Sequence, residues 1–203
     1  SGKIQLLQPG SLLDMEVYHR NTASLQRVRS LQWSRIYSTL FSDILKNGIM
    51  VFVIEMIQKT ITEPETNADL FAFCEEVLCW LDEAAPANTA LFPIYFVVHW
   101  SHFFGFRIPI PTAAVQENEQ LYLDLQEGAF TNQAPSQGAM LEGKDAYMLA
   151  EMLKTQHPDE LRGITIPGGQ RSRVLDAMLL YYRHHIPGFG EIRSLNVLRT
   201  ILK

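Results

Sequence analysis

Leu91-Phe92-Pro93-Ile94-Tyr95-Phe96-Val97-Val98-His99-Trp100-Ser101-His102-Phe103-Phe104-Gly105 is the stretch on which the fold turns. Phe92, Tyr95, Phe96, Val97, Trp100 and Phe103 leave it almost no polar face, and Gly105 suits the left-handed residue that closes a helix. A helix that is apolar nearly all round is buried on every side, so Leu91 to Phe104 is predicted to be the central helix of a bundle.

The flanking segments supply helices to surround it. From Thr39 to Thr62, Leu40, Ile44, Leu45, Gly48, Phe52, Met56 and Ile57 recur at intervals of three and four, an amphipathic pattern that stops before Glu63-Pro64. Asn67 is a fitting N-cap for a second helix through Leu70, Phe73, Val77, Leu78 and Trp80 to about Ala84. Beyond Gly105, residues 107–140 lose the helical period. They carry Pro109, Pro111 and Pro135 and a short alternation at Leu121–Leu125, which predicts an excursion with one or two small strands. Helices resume at about Lys144–Thr155, Gln170–His185 and Ser194–Leu202. No repeat of solenoid length is present.

The N-terminus has a different period. Ser11–His19 and Leu25–Trp33 alternate apolar and polar residues around Arg20-Asn21-Thr22-Ala23, the pattern of a β-hairpin. A turn centred there pairs Glu16 with Arg27 and Asp14 with Arg29 across the ladder. A lone hairpin is rarely stable, so these strands call for others.

The 203 residues, 47% hydrophobic, suffice for a sizeable core. Runs such as Ile49–Ile54 are far too short to span a bilayer, and no secretory signal pattern opens the chain. The expectation is a soluble, intracellular protein. Cys74 and Cys79 lie five apart on a helical segment, on different faces, which predicts reduced, buried thiols rather than a bridge or a shared metal. The net charge of −5 is unevenly spread: residues 1–47 carry +3, residues 48–161 carry −13, and residues 162–203 carry +5. An acidic middle with basic ends makes one positive surface if the fold joins the ends.

Signatures of catalysis are missing. The sequence has no P-loop, G-x-S-x-G, H-E-x-x-H or G-x-G-x-x-G, and no reaction or cofactor is expected. His99 and His102 share a helix face as metal ligands do, yet Trp100 and Phe103 flank them and no acid or cysteine lies near in sequence, which favours core histidines over a metal-dependent enzyme. His184 and His185 point apart on their helix.

Pro167-Gly168-Gly169-Gln170-Arg171-Ser172-Arg173 opens a helix with two glycines and two arginines, a place where free N–H groups, the helix dipole and guanidinium favour a phosphate. The equally weighted alternative is a plain helix start with Arg173 paired to Asp176. Arg183 and Arg193 extend the basic end, while Arg199 and Lys203 fit a solvated helix face. Arg35 and Lys46 have no evident acidic partner, and Arg27 and Arg29 are weaker candidates because of their cross-strand acids. Tyr18, Trp33 and Tyr37 are candidates for stacking on bases, against a core role.

Taken in order, Leu6-Leu7-Gln8-Pro9, Ser11-Leu12-Leu13, Glu16-Val17-Tyr18-His19 and Leu25-Gln26-Arg27 resemble the strand pair of RecO proteins from the Bacteroidetes group. The resemblance continues through Lys46, Phe52-Val53-Ile54-Glu55, Leu70-Phe71-Ala72-Phe73, Trp80-Leu81-Asp82 and Phe104-Gly105-Phe106 to Leu123-Asp124-Leu125-Gln126-Glu127-Gly128-Ala129-Phe130. It ends on Arg173-Val174-Leu175, Tyr181-Tyr182-Arg183-His184-His185-Ile186-Pro187-Gly188-Phe189 and Arg193-Ser194-Leu195-Asn196-Val197-Leu198, and so spans the chain.

The resemblance implies a mainly α protein with a β N-terminus: residues 1–37 as the C-terminal part of an OB-fold barrel, packed on a helical RecO-type domain over 38–203. It implies a mediator of DNA repair and homologous recombination that binds single- and double-stranded DNA without sequence preference. Its partners would be RecR, RecF and single-strand binding protein, and it would assist RecA loading and strand annealing in the cytoplasm, associated with the nucleoid and without membrane contact. The DNA-contacting residues would be Arg35, Lys46, Arg171, Arg173, Arg183 and Arg193, with Arg27 and Arg29. The alternative is a helical protein-interaction adaptor that does not itself bind DNA. Two departures stand out: the early barrel strands expected before Leu6 are not in the chain, and Arg107–Phe130 lacks the four cysteines with which many RecO proteins bind zinc, so no structural zinc is expected.

Overall fold

The computed structural model of the protein describes residues 6–21, 25–62, 66–85, 89–111 and 120–202. Helix α1 (Ile44–Thr60) starts later than the apolar period suggests, because Asp43 takes the N-cap and accepts from the Leu45 and Lys46 N–H groups. Residues 39–42 form a turn in front of it, with the Ser42 and Asp43 N–H groups donating to the Thr39 carbonyl. α2 (Ala68–Glu83) is capped as its sequence predicts, the Asn67 side chain accepting from Leu70 N–H. α3 (Phe92–Trp100) runs into a 3-10 turn at Ser101–Phe104 and closes at Gly105 with φ +79°.

Every residue of α3 except His99 is buried, the outcome expected of a helix without a polar face. It packs on α1 and on two later helices, α4 (Gly143–Met152) and α5 (Gly168–His185). Two polar groups entering this core are paired: Tyr182 Oη donates to the Val97 carbonyl at 2.7 Å, and Trp100 Nε1 donates to Thr60 Oγ1 at 2.8 Å, whereas the buried Nε2 atoms of His99 and His102 have no hydrogen-bond partner among the described residues. Phe92, Phe96, Trp100 and Tyr182 are fully enclosed, each such burial being worth roughly 1.5–3 kcal/mol.

The N-terminal hairpin consists of β1 (Leu13–Tyr18) and β2 (Arg27–Trp33), antiparallel. Its register differs from the expected one: Tyr18 faces Arg27, Glu16 faces Ser30 and Asp14 faces Gln32. The shift lies between Glu16 and Val17, where β2 carries the extra residue Arg29 as a bulge. The connection is also longer than the four-residue turn predicts, and Arg20 and Gln26 close it with two hydrogen bonds. Arg29 still finds Glu16, at 3.4 Å. Among the described residues no third strand joins this ribbon, and Met15, Val17, Tyr18, Val28 and Trp33 are exposed on it.

Among the described residues the excursion holds three short strands, β3 (Tyr122–Asp124), β4 (Ala129–Thr131) and β5 (Met140–Glu142), in the order β4-β3-β5 and all antiparallel, where the sequence pattern predicts one or two. β5 has three residues and leads directly into α4, too short for an alternation to show. Residues 112–119 of the expected excursion lie outside the described residues. α6 (Ser194–Ile201) ends the order of elements and packs on α1. No described helix is long and apolar enough to cross a membrane.

Candidate nucleic-acid interface

The basic residues singled out by sequence divide into three groups, set by where α1 and α5 carry them. α6 runs antiparallel to α1, since Ser194 meets Glu55 near one end of α1 and Ile201 meets Gly48 near the other. Arg193 therefore lies toward the C-terminal end of α1. Arg183, in the last turn of α5, joins it there by donating from Nε to the Gly190 carbonyl at 3.2 Å, and Lys59 Nζ donates to the neighbouring Phe189 carbonyl. Arg183 and Arg193 are exposed and make no ion pair among the described residues.

Arg171 and Arg173 stand at the opposite end of α5, roughly 18 Å and 15 Å from Arg183 at 1.5 Å per residue. Both have internal partners. Arg171 donates from Nη1 to the Ile166 carbonyl and from Nη2 to the Leu202 carbonyl, and Arg173 holds Asp145 with Nε and Nη2, tying α5 to α4. The Arg173–Asp176 pairing that the sequence also allows is not formed, because Asp176 pairs with Arg199 of α6 instead. No side chain caps α5, whose N-terminal residues Gly168 and Gly169 are exposed.

The third group belongs to the ribbon and its junction with α1. Arg27 is exposed and unpaired among the described residues, and Arg29 is held by Glu16. Arg35 and Lys46 correct the sequence reading, since both have partners. Arg35 binds Glu83 at the end of α2. Lys46 is 3% exposed, and its ammonium donates to Thr39 Oγ1 at 2.8 Å and to the Asp82 carbonyl at 2.6 Å. A lysine so enclosed holds the junction together and offers no charge to a ligand.

Asp82 is the centre of that junction, and the sequence reading overlooked it. Its carboxylate accepts from the backbone N–H groups of Ser38, Thr39 and Leu40 at 2.9, 2.7 and 2.8 Å. Burial pushes its carboxyl up, but these donors and the Lys46 charge outweigh burial and hold it below the usual carboxylate range. A signal was present: Asp82 follows Leu78 by four and Leu81 by one, on the apolar face of its helix, where an acid stays only if it is bonded. Glu55 plays a similar part at α6, accepting from Arg193 N–H, Ser194 N–H and Ser194 Oγ.

The aromatic candidates also separate. Tyr18 and Trp33 are 57% and 46% exposed on the ribbon, whereas Tyr37 is half-buried and donates to the Gly10 carbonyl. His99 and His102 stack edge to face beside Tyr95, and no third histidine, cysteine or acid completes a metal-binding group among the described residues. Burial drives His99 down to about 4 and lowers His102 as well, with Arg107 adding to both, so each is neutral. Cys74 and Cys79 are free and half-buried rather than fully buried, and burial pushes the Cys74 thiol up to about 12.

The helical body behind these groups has relatives. A family profile described as Recombination protein O C terminal matches residues 41–195. The chain belongs to this RecO family. Among curated proteins, it is similar to the DNA repair protein RecO of Flavobacterium johnsoniae, 27% identical over 201 residues that cover 99% of this chain and 80% of that one. It is also similar to the protein of that name from Phocaeicola vulgatus, at 28% identity with 98% and 80% covered, and to that of Azobacteroides pseudotrichonymphae, at 26% with 95% and 78% covered. No solved structure matches. The RecO match begins at Phe41, so it includes α1 through Leu195 and leaves the ribbon outside the profile.

Proposed function

We infer that this RecO-family chain acts in DNA repair as a recombination mediator, by surface recognition and without chemistry of its own, binding single- and double-stranded DNA through its phosphates. The observation that carries the reading is the pair Arg183 and Arg193, exposed at one corner without a carboxylate partner among the described residues. Arg27 adds a free cation on the ribbon, and Tyr18 and Trp33 add exposed rings suited to stacking on unpaired bases. The names of the relatives support DNA repair as the setting. RecR, RecF and single-strand binding protein as partners, help in RecA loading and annealing, and a cytoplasmic, nucleoid-associated location belong to the same proposal.

So does the assignment of residues 1–37 as the C-terminal part of an OB-fold domain and 38–203 as a helical domain. Its support is the exposed apolar face of the ribbon, which further strands would cover. The adaptor reading is favoured by a different observation, the exposed Ile36, Phe41, Ile44, Val51 and Val197 along the α1–α6 side.

Fluorescence anisotropy of a labelled single-stranded oligonucleotide at two salt concentrations tests the reading. Salt-sensitive binding is expected, and Arg183→Glu with Arg193→Glu should weaken it and flatten its log-log salt slope by about 1.4, at roughly 0.7 per phosphate contact on single strands. Unchanged affinity and slope in the double variant would remove DNA contact from this corner and leave the adaptor.

A further inference from the structure

α6 is held in two unlike ways. Against α1 it is close-packed: Glu55 caps its first turn, and a Cβ on Gly48 would stand 2.1 Å from Ile201 Cδ1. Toward α5 it faces a cavity of about 610 Å³ walled by Pro93, Ile94, Leu175, Leu198 and Leu202. Two polar struts cross that gap, Arg171 to the Leu202 carbonyl at 2.8 Å and Arg199 to Asp176. The other flank of α6 borders a second cavity of about 300 Å³, with Val197 and Ile201 on its wall. Only one face of this helix is packed.

The Arg199–Asp176 strut is open to solvent, its side chains 42% and 45% exposed. An exposed ion pair contributes little to stability and is readily exchanged. A DNA phosphate oxygen can accept from Arg199 as Asp176 Oδ1 does, and its binding releases counterions besides. We propose that Arg199 is a further phosphate-binding residue, exchanging Asp176 for the DNA backbone, and that this exchange loosens α6 from α5. Asp176 is then an internal competitor of DNA, and seating of α6 and DNA binding oppose each other, each weakening the other by the same factor. The inference rests on the DNA-binding reading above.

Anisotropy with a labelled single-stranded oligonucleotide, paired with hydrogen exchange at the α6 amides, tests it on the whole chain. Asp176→Asn should tighten DNA binding roughly 2- to 5-fold and speed exchange in α6. Arg199→Gln should weaken binding, lower the salt slope by about 0.7 and speed exchange in α6. Asp176→Glu, which keeps the charge, should return both readouts toward the original, a rescue that general unfolding would not give. Oligonucleotide added to the unaltered chain should speed α6 exchange. If the unaltered chain binds DNA and the Arg183 and Arg193 variant weakens it, while Asp176→Asn and Arg199→Gln change nothing, this inference alone is overturned. If the unaltered chain shows no salt-sensitive binding, the DNA-binding reading falls and takes this one with it.

Discussion

At the scale of single residues, the buried polar groups decide more than the exposed ones. Three backbone N–H groups end on the Asp82 carboxylate, and Lys46 and Thr39 close over its carbonyl, so Asp82→Ala strands several donors at once. A loss of about 3 kcal/mol is expected, read as a lower urea midpoint with an unchanged slope. His99 makes a pH prediction. The groups facing it are Tyr95 and His102 on its own helical stretch, Arg107, and the Thr155 backbone, and burial is the largest influence, holding it neutral down to about 4. An unfolded histidine binds its proton near 6.5, so between about 6.5 and 4 the unfolded chain holds the extra proton and stability falls as pH falls. Melting temperature should drop from pH 7 to pH 5, and less so in His99→Phe; an equal drop in both would assign the acid sensitivity elsewhere. The sequence displays such residues by type but not by partner. Arg35 reaches Glu83, Lys46 reaches Asp82 and Arg173 reaches Asp145 across 48, 36 and 28 residues of chain, separations at which no local pattern pairs them.

At the scale of elements, the helices were legible because most bury one stripe and repeat it over several turns, and α3 is apolar nearly all round. α2 and α5 begin and end within a residue or two of where their caps and periods place them, while α3 gives way after Trp100 to a 3-10 turn that runs to Phe104. The ribbon was legible as a hairpin but not in register, since a bulge at Arg29 and a long connection leave no trace in alternation. The turn between β3 and β4 shows how narrowly an element can be specified. Gly128 has φ +64°, and a Cβ there would stand 2.3 Å from Tyr181 Oη, which cannot retreat without giving up its bond to the Phe106 carbonyl. Gly128→Ala should therefore cost at least ~1–3 kcal/mol from the left-handed backbone alone. Thermal unfolding measures it; a variant as stable as the original would mean that the turn re-forms with another geometry.

At the scale of the whole molecule, the uneven charge of the sequence becomes an arrangement. The basic C-terminal stretch is stretched along α5, with Arg171 and Arg173 at one end and Arg183 at the other, and α6 returns Arg193 to the second end. The sequence allows one joined positive surface if the fold brings the two basic chain ends together. In the fold the cations stand in separate groups, since a straight helix keeps its two ends apart. That separation follows from α5 being a single uninterrupted helix of 18 residues, close to the one that the sequence predicts over Gln170–His185.

The length of α5 therefore acts as a ruler. Its two cationic ends are roughly 18 Å apart, which at a rise of 3.4 Å per strand residue is about five nucleotides of B-form backbone. If both ends contact DNA, a trimer would reach one end and not both, whereas an octamer would bridge them. Affinity measured across an oligonucleotide length series should consequently climb in a step between about four and seven nucleotides rather than evenly. A smooth climb would show that the protein counts phosphates without regard to where they fall.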